Sequence, residues 1–200
     1  YNHNADIVGA EALLRWQHPI YGMVSPSIYI PIAEESDLIL NIGQWVLEQA
    51  CRDIHQLKQE ELLDNVGNIA VNISAKQLIQ HDFQELIINT IEKNDIDPKY
   101  LTLELTESFL VENIDRSIKL LHNLKAKNIG CAIDDFGTGY SSLTYLQRIP
   151  ANTLKIDRSF VTNIDKSKES IAIASMIISL GKMLNMKVLA EGVETSAELE

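Results

Sequence analysis

The sequence predicts an α/β fold, a parallel β-sheet covered by helices, and three observations predict it. Short apolar runs recur along the chain, and most are followed by a segment with the 3.6-residue period of an amphipathic helix. The runs are apolar nearly throughout, as in strands buried on both faces. They are Ile7–Leu13, Ile69–Ile73, Leu101–Leu105, Gly130–Ile133, Thr153–Ile156 and Lys187–Ala190. After the first run, Ile42, Trp45, Val46, Ala50, Ile54 and Leu57 fall on one helical face. Phe83, Leu86, Ile87 and Ile91 mark a helix after the second run, and Ile114, Ile118, Leu121 and Leu124 mark one after the third. Later, Ile171, Ile173, Met176, Ile177, Ile178 and Leu180 are apolar on more than one face. That stretch reads either as a helix buried on two sides or as a subunit contact. An open doubly wound sheet and a closed barrel both satisfy this order of elements. No GxGxxG or GxxxxGK[ST] follows the first run, which weakens the nucleotide-binding form of the open sheet. There is no internal repeat, low-complexity tract or linker, so residues 1–200 read as a single domain.

Apolar residues make up 46% of the chain and charged residues 22%, the balance of a globular protein. The net charge of −11 argues against a nucleic-acid polymer as ligand, whose phosphates it would repel. A small phosphate ester is compatible with that charge if metal ions invert it locally. Ile171 to Leu180 is too short to span a bilayer, and no signal-peptide pattern opens the chain. Cys51 and Cys131 lack metal-ligand spacing and read as buried, reduced thiols. The segment therefore reads as cytoplasmic and without membrane contact, although a parent protein could be anchored through other segments.

Polar side chains gather where the apolar runs end. Glu11 follows Val8-Gly9-Ala10, Asn72 follows Ala70-Val71, and Glu104 lies between Leu103 and Leu105. Asp134 and Asp135 follow Cys131-Ala132-Ile133, Lys155 and Asp157 flank Ile156, and Glu191 follows Val188-Leu189-Ala190. Strand side chains alternate, so Thr102, Glu104 and Thr106 share a face, and so do Lys155 and Asp157. In a parallel barrel the polar face lines the interior, and sites form at its C-terminal mouth. Singly, each residue has a plain structural reading: a surface carboxylate for Glu11, a strand-end amide for Asn72, a turn and cap for Asp134-Asp135, a Lys155–Asp157 bridge. Their shared position makes them a constellation. Two like charges about 4 Å apart repel by roughly 4 kcal/mol at an effective dielectric near 20. Lys155 alone cannot neutralise Glu11, Glu104, Asp134, Asp135 and Glu191, whereas a divalent metal can. Carboxylate and amide oxygens suit hard ions such as Mg²⁺ or Mn²⁺. His3, His18, His55, His81 and His122 form no zinc spacing, and no GxSxG supports acyl chemistry.

The residues also carry a resemblance. Glu11-Ala12-Leu13-Leu14-Arg15-Trp16-Gln17-His18-Pro19 is similar to the signature that names the EAL family. Ile30-Pro31-Ile32-Ala33-Glu34, Val71-Asn72-Ile73-Ser74 and Glu104-Leu105-Thr106-Glu107 continue it. So do Asp134-Asp135-Phe136-Gly137-Thr138-Gly139-Tyr140-Ser141-Ser142-Leu143, Leu154-Lys155-Ile156-Asp157-Arg158-Ser159-Phe160-Val161 and Ala190-Glu191-Gly192-Val193-Glu194. The resemblance implies a TIM-like barrel whose first strand, in the full domain, runs antiparallel to the rest. It implies hydrolysis of cyclic di-GMP to linear pGpG by a metal-activated water, with two Mg²⁺ or Mn²⁺ ions, in bacterial signalling. It assigns metal binding to Glu11, Asn72, Glu104, Asp134, Asp135 and Glu191. Lys155 would position the attacking water and Asp157 would support the site. Arg15 would contact phosphate, and Glu107, with Glu194, would anchor loops. A homodimer and an upstream sensory or cyclase domain are implied in the same way. The family's first and last strands find no match here, so the chain is expected to be an incomplete barrel, inactive or poorly folded alone. A non-catalytic cyclic di-GMP receptor and a protein-interaction module are the alternative readings of the same motifs.

Overall fold

The computed structural model describes residues 6–107, 114–139 and 143–199. The chain divides into two compact units, Tyr1–Leu103 with Lys127–Ile129, and Glu104–Ala126 with Gly130–Glu200.

The first unit opens with β1 (Gly9–Ala12), followed by a hairpin of β2 (Trp16–His18) and β3 (Gly22–Val24). No apolar run marks this hairpin, because its strands are three residues long and carry no alternation. Its turn is held by His18, whose Nδ1 accepts the backbone N–H groups of Ile20 and Tyr21 at 3.1 and 3.3 Å. Helix α1 (Pro26–Glu35) starts at Ser25 and has Pro26 in its first turn, where a missing N–H costs nothing. Helix α2 (Leu38–Gln59) and the short α3 (Leu63–Val66) lead into β4 (Asn68–Asn72), which pairs in parallel with β1. Helices α4 (Ala75–Leu78) and α5 (Phe83–Lys93) follow. Phe83, Ile87 and Ile91 are buried, as the periodicity predicts, with Leu86 half-buried beside them.

The buried face of α2 overlaps the predicted one, with Ala50 and Ile54 buried and Ile42, Val46 and Leu57 half-buried, but its centre is shifted. It comprises Ile39, Gly43, Leu47, Ala50, Cys51 and Ile54, while Trp45 is 53% exposed. Gly43, which carries no hydropathy signal, lies in that face against Gln77. A Cβ there would lie 2.1 Å from Nε2 of Gln77. Gln77 is itself buried and fixed by a capping box: its Oε1 accepts the backbone N–H of Ser74, and the Ser74 hydroxyl accepts the N–H of Gln77. Gly43→Ala is therefore expected to destabilise the protein by about 1–3 kcal/mol, because Gln77 must leave its cap to make room. Urea unfolding of the variant against the parent checks it; an unchanged midpoint would show that Gln77 can move freely.

Strand β5 (Leu101–Thr106) passes from the first unit into the second after Leu103. The second unit continues with α6 (Ile114–Ala126), β6 (Gly130–Phe136), α7 (Leu143–Leu146) and β7 (Thr153–Ile156). It ends with α8 (Arg158–Val161), α9 (Lys168–Met183), β8 (Lys187–Ala190) and α10 (Ser196–Leu199). β7 pairs in parallel with β6 on one side and β8 on the other. All six predicted apolar runs overlap a strand of the α/β fold; Thr153–Ile156 and Lys187–Ala190 coincide with theirs, and the other four differ by one to three residues at one or both ends. In α6, Ile118, Leu121 and Leu124 are buried as expected. In α9 only Ala174, Ile177 and Gly181 are buried, while Ile171, Met176, Ile178 and Met183 are exposed. The helix is thus buried on one side, not two. Cys51 and Cys131 are both buried and free, and burial pushes each thiol up to about 12. Among the described residues no helix is long and apolar enough to cross a membrane.

Candidate metal centre

In the first unit, the parallel register sets Glu11 opposite Ala70. Asn72, two residues further along β4, emerges on the same face. Its Nδ2 donates to Glu11 Oε1 at 3.1 Å, and both side chains are exposed. The two residues named for oxygen ligation therefore meet at the ends of neighbouring strands. Arg15 is exposed just beyond β1, with Nη1 donating to the carbonyl of Leu14 at 3.0 Å.

In the second unit, Lys155 is 4% exposed, and its Nζ donates to Glu104 Oε2 at 2.8 Å. The same ammonium lies 3.1 Å from Asp134 Oδ1 and 2.6 Å from Glu191 Oε1. Glu104 and Asp134 are buried, and Glu191 is half-buried. Burial alone would lower the pKa of Lys155, but its hydrogen bonds to Glu104 and Glu191 and the charge of Asp134 win, and it is raised. The lysine is a fixed cation at neutral pH. The structural bridge to Asp157 considered from sequence gives way to this three-carboxylate grip. Asp157 instead caps α8, its Oδ1 accepting the N–H of Ser159 at 3.0 Å and that residue's hydroxyl.

Strict alternation along β6 would send Asp134 and Asp135 to opposite faces. A β-bulge prevents it. Ile133 pairs with Leu154 and Phe136 with Ile156, so both aspartates stand against the single residue Lys155. Asp135 takes φ of 53°, the left-handed region that Asp tolerates better than most residues, and donates its N–H to Asp134 Oδ1 at 3.0 Å. Carboxylate oxygens of Asp135, Asp157 and Glu191 come within 4.8 Å of one another. Burial, then the charges of Asp134 and Asp157, raise the Asp135 carboxyl pKa. Glu107, directly after β5, is buried, and its Oε2 accepts the N–H of Gly137 at 2.8 Å. Tyr140, Ser141 and Ser142 of the same motif lie outside the described residues. Glu194 is exposed, and its backbone N–H is held by Glu198.

Glu104, Asp134 and Glu191 surround one ammonium, and Asp135 and Asp157 add their charges nearby. A single cation cannot balance that set. The donors are all oxygens, the chemistry of a hard divalent ion, so the residues present fit such an ion. Two features of this cluster do not follow from the pattern of apolar runs and strand-end residues. One is the bulge. The other is Glu198, for which the signal was present as the capping-box spacing Thr195-Ser196-Ala197-Glu198.

The EAL domain profile matches residues 2–200. This chain belongs to the EAL domain family. Among relatives of this EAL domain, the bifunctional diguanylate cyclase/cyclic di-GMP phosphodiesterase MucR of Pseudomonas aeruginosa is 44% identical over 197 residues, covering 98% of this chain and 28% of MucR. The cyclic di-GMP phosphodiesterase NbdA of the same organism is 41% identical over 192 residues, covering 94% of this chain and 24% of NbdA. The chain thus spans about a quarter of the length of these relatives. The solved PaMucR phosphodiesterase in complex with c-di-GMP superposes with a TM-score of 0.91 at 44% identity, covering 96% of this chain and 76% of that one. The α/β class and the TIM-like barrel implied by the motifs are the fold of the EAL domain.

Proposed function

We propose that this EAL domain hydrolyses cyclic di-GMP to linear pGpG with two Mg²⁺ or Mn²⁺ ions. The observation that carries the reading is the buried Lys155 gripped by Glu104, Asp134 and Glu191, with Asp135 and Asp157 adding charge that one ammonium cannot balance. The names of MucR and NbdA, and the c-di-GMP held by PaMucR, support the substrate.

Glu104, Asp134, Asp135 and Glu191 would hold an ion in the second unit, and Glu11 and Asn72, paired in the first unit, carry the same assignment from the motifs. When bound, the ions supply Lewis acidity and neutralise the phosphodiester. The chain's own residues do the rest. Lys155, within hydrogen-bond reach of Glu104 and Glu191, orients the water and stabilises negative charge developing on phosphorus-bound oxygen. Asp157, tied to the first turn of α8, fixes the strand end that carries Lys155. Glu107 holds the amide of Gly137, three residues beyond Asp134. Arg15 contacts a substrate phosphate. Homodimerisation, a cytoplasmic location and an adjoining cyclase or sensory domain in the parent protein belong to the same reading, and the bifunctional MucR supports the last.

The test uses the full-length parent protein and its Glu11→Ala variant with cyclic di-GMP and Mg²⁺ or Mn²⁺. Linear pGpG from the parent, abolished by EDTA and reduced by on the order of a hundredfold or more in the variant, is expected. Tight binding without turnover in the parent would make the domain a receptor and overturn the hydrolytic reading.

A further inference from the structure

We propose that Glu198 is a positioning residue, whose carboxylate locks the loop carrying Glu191 onto the segment carrying Lys155 and Asp157. The proposal rests on the reading of Glu191 as a ligand, and it names a residue outside the family motifs quoted above. Glu198 Oε1 accepts the backbone N–H of Asn163 at 2.9 Å, across 35 residues of sequence. Its Oε2 accepts the N–H groups of Glu194 and Thr195, each at 3.0 Å. One carboxylate therefore satisfies three amides on two loops, the one after β8 and the one after α8.

A capping box explains only part of this. In that motif the acid reaches back to the N-cap amide while the N-cap hydroxyl accepts the acid's own N–H, and the 3.3 Å bond from Glu198 N to Thr195 Oγ1 completes it here. A cap needs one carboxylate oxygen. The other oxygen of Glu198 is spent on Asn163, which helix α10 does not require. Charge-assisted bonds to N–H groups favour the ionised form, and they hold the Glu198 carboxyl down to about 2, the bond from Asn163 contributing most.

The geometry of the loop shows what the lock controls. Glu191 donates its backbone N–H to Ile156 O at 3.1 Å, so it begins in register with β7. The next residue, Gly192, has φ of 69°, and a Cβ there would lie 2.9 Å from Cβ of Arg158 in α8. The loop thus turns sharply and runs directly against α8, and Glu198 fastens its far end to Asn163 just past that helix. Between these two ties the Glu191 carboxylate reaches Lys155 Nζ at 2.6 Å. Releasing Glu198 frees the loop after Gly192 and widens the range of positions open to Glu191. A carboxylate ligand set with one member loosened binds its ion less tightly, and loss of such an outer partner typically costs ten- to a hundredfold in metal affinity, roughly.

The experiment compares Glu198→Ala, Glu198→Gln and Thr195→Ala with the parent. Three readouts are Mn²⁺ affinity by calorimetry without nucleotide, amide exchange at Asn163, Glu194 and Thr195, and the Lys155 ¹⁵Nζ resonance in metal-free buffer. Glu198→Ala is expected to weaken Mn²⁺ binding about tenfold, to deprotect all three amides and to shift the Lys155 resonance. With saturating Mn²⁺, kcat should stay within about twofold of the parent, because the site is refilled. Glu198→Gln keeps one acceptor oxygen and should fall between the two. Thr195→Ala removes the hydroxyl of the cap but not the carboxylate bonds, and should leave Mn²⁺ affinity and the Asn163 amide unchanged. If Thr195→Ala matches Glu198→Ala, the residue merely caps α10 and the proposal fails. It fails equally if Glu198→Ala leaves the Lys155 resonance in place. A parent that binds no Mn²⁺ overturns the metal reading instead, and the amide and Lys155 readouts still decide the lock.

Discussion

Lys155→Met is expected to lower turnover by on the order of a thousandfold and to destabilise the metal-free protein by about 3–5 kcal/mol. The side chain is 4% exposed and its ammonium is within 3.1 Å of carboxylate oxygens from Glu104, Asp134 and Glu191. Methionine keeps the length and the apolar stem, so the change removes charge with little loss of packing. What remains is three carboxylates facing one another in a water-poor site. At an effective dielectric near 20, each pair about 4 Å apart repels by roughly 4 kcal/mol, and some of that is relieved by protonation and by side-chain movement. The folded-state pKa of Lys155 is raised, so its stabilising contribution is complete below the ordinary lysine value of 10.5 and is lost only as pH climbs through the higher folded value. The cost of the substitution should accordingly be constant across the neutral range. Urea titration in EDTA measures the stability, and pGpG formation with saturating Mn²⁺ measures the rate. Added Mn²⁺ should recover much of the stability, since it replaces a cation, and little of the rate, since it cannot donate a hydrogen bond from that position. A variant as stable as the parent in EDTA would show that the ammonium is not what holds the carboxylates together.

Most of this arrangement could be read from the sequence because it depends on single residues at strand ends. Glu104 between Leu103 and Leu105 in a mostly apolar strand is expected to be buried, and a buried carboxylate needs a partner. Lys155 in the next-but-one strand is the cation nearest to hand in such a run. What could not be read depends on backbone departures from regularity. The alternation rule, applied to Cys131-Ala132-Ile133-Asp134-Asp135-Phe136, sends one aspartate away from the site, and only the extra residue in β6 restores it. Gly43 illustrates a second limit: a close approach recruits the residue with the least side chain, which a hydropathy pattern scores as nothing. Glu198 illustrates a third. Its capping bond to Thr195 is local and follows from a four-residue spacing, whereas its bond to Asn163 depends on how the chain returns after 35 residues. The exposed face of α9 is the converse case, where apolar periodicity on two sides of a helix is met by burial on one.

The paired substitution Asp134→Asn with Asp135→Asn should make the protein more stable without metal and less active with it. Both changes preserve shape. Asn at position 134 keeps the oxygen that accepts the Asp135 N–H at 3.0 Å. Asn at position 135 suits φ of 53° at least as well as Asp, so the bulge carries no new backbone penalty. What disappears is two negative charges from a carboxylate set gathered around Lys155, and relief of that repulsion is expected to add about 1–2 kcal/mol in EDTA. For a chain of this size that corresponds to a rise of roughly 2–8 °C in Tm. The parent should overtake the variant when Mn²⁺ is added, because an ion at a hundredfold excess over its Kd contributes about 2.7 kcal/mol to the folded state. The variant, short of two ligands, should gain little, and its turnover should fall by on the order of a thousandfold. The melting curves of the two proteins would then cross as Mn²⁺ is titrated in. That crossing separates carboxylates kept for an ion from carboxylates kept for the fold: if Asp134 and Asp135 serve only as a turn and a cap, the variant loses stability in EDTA and the curves never meet.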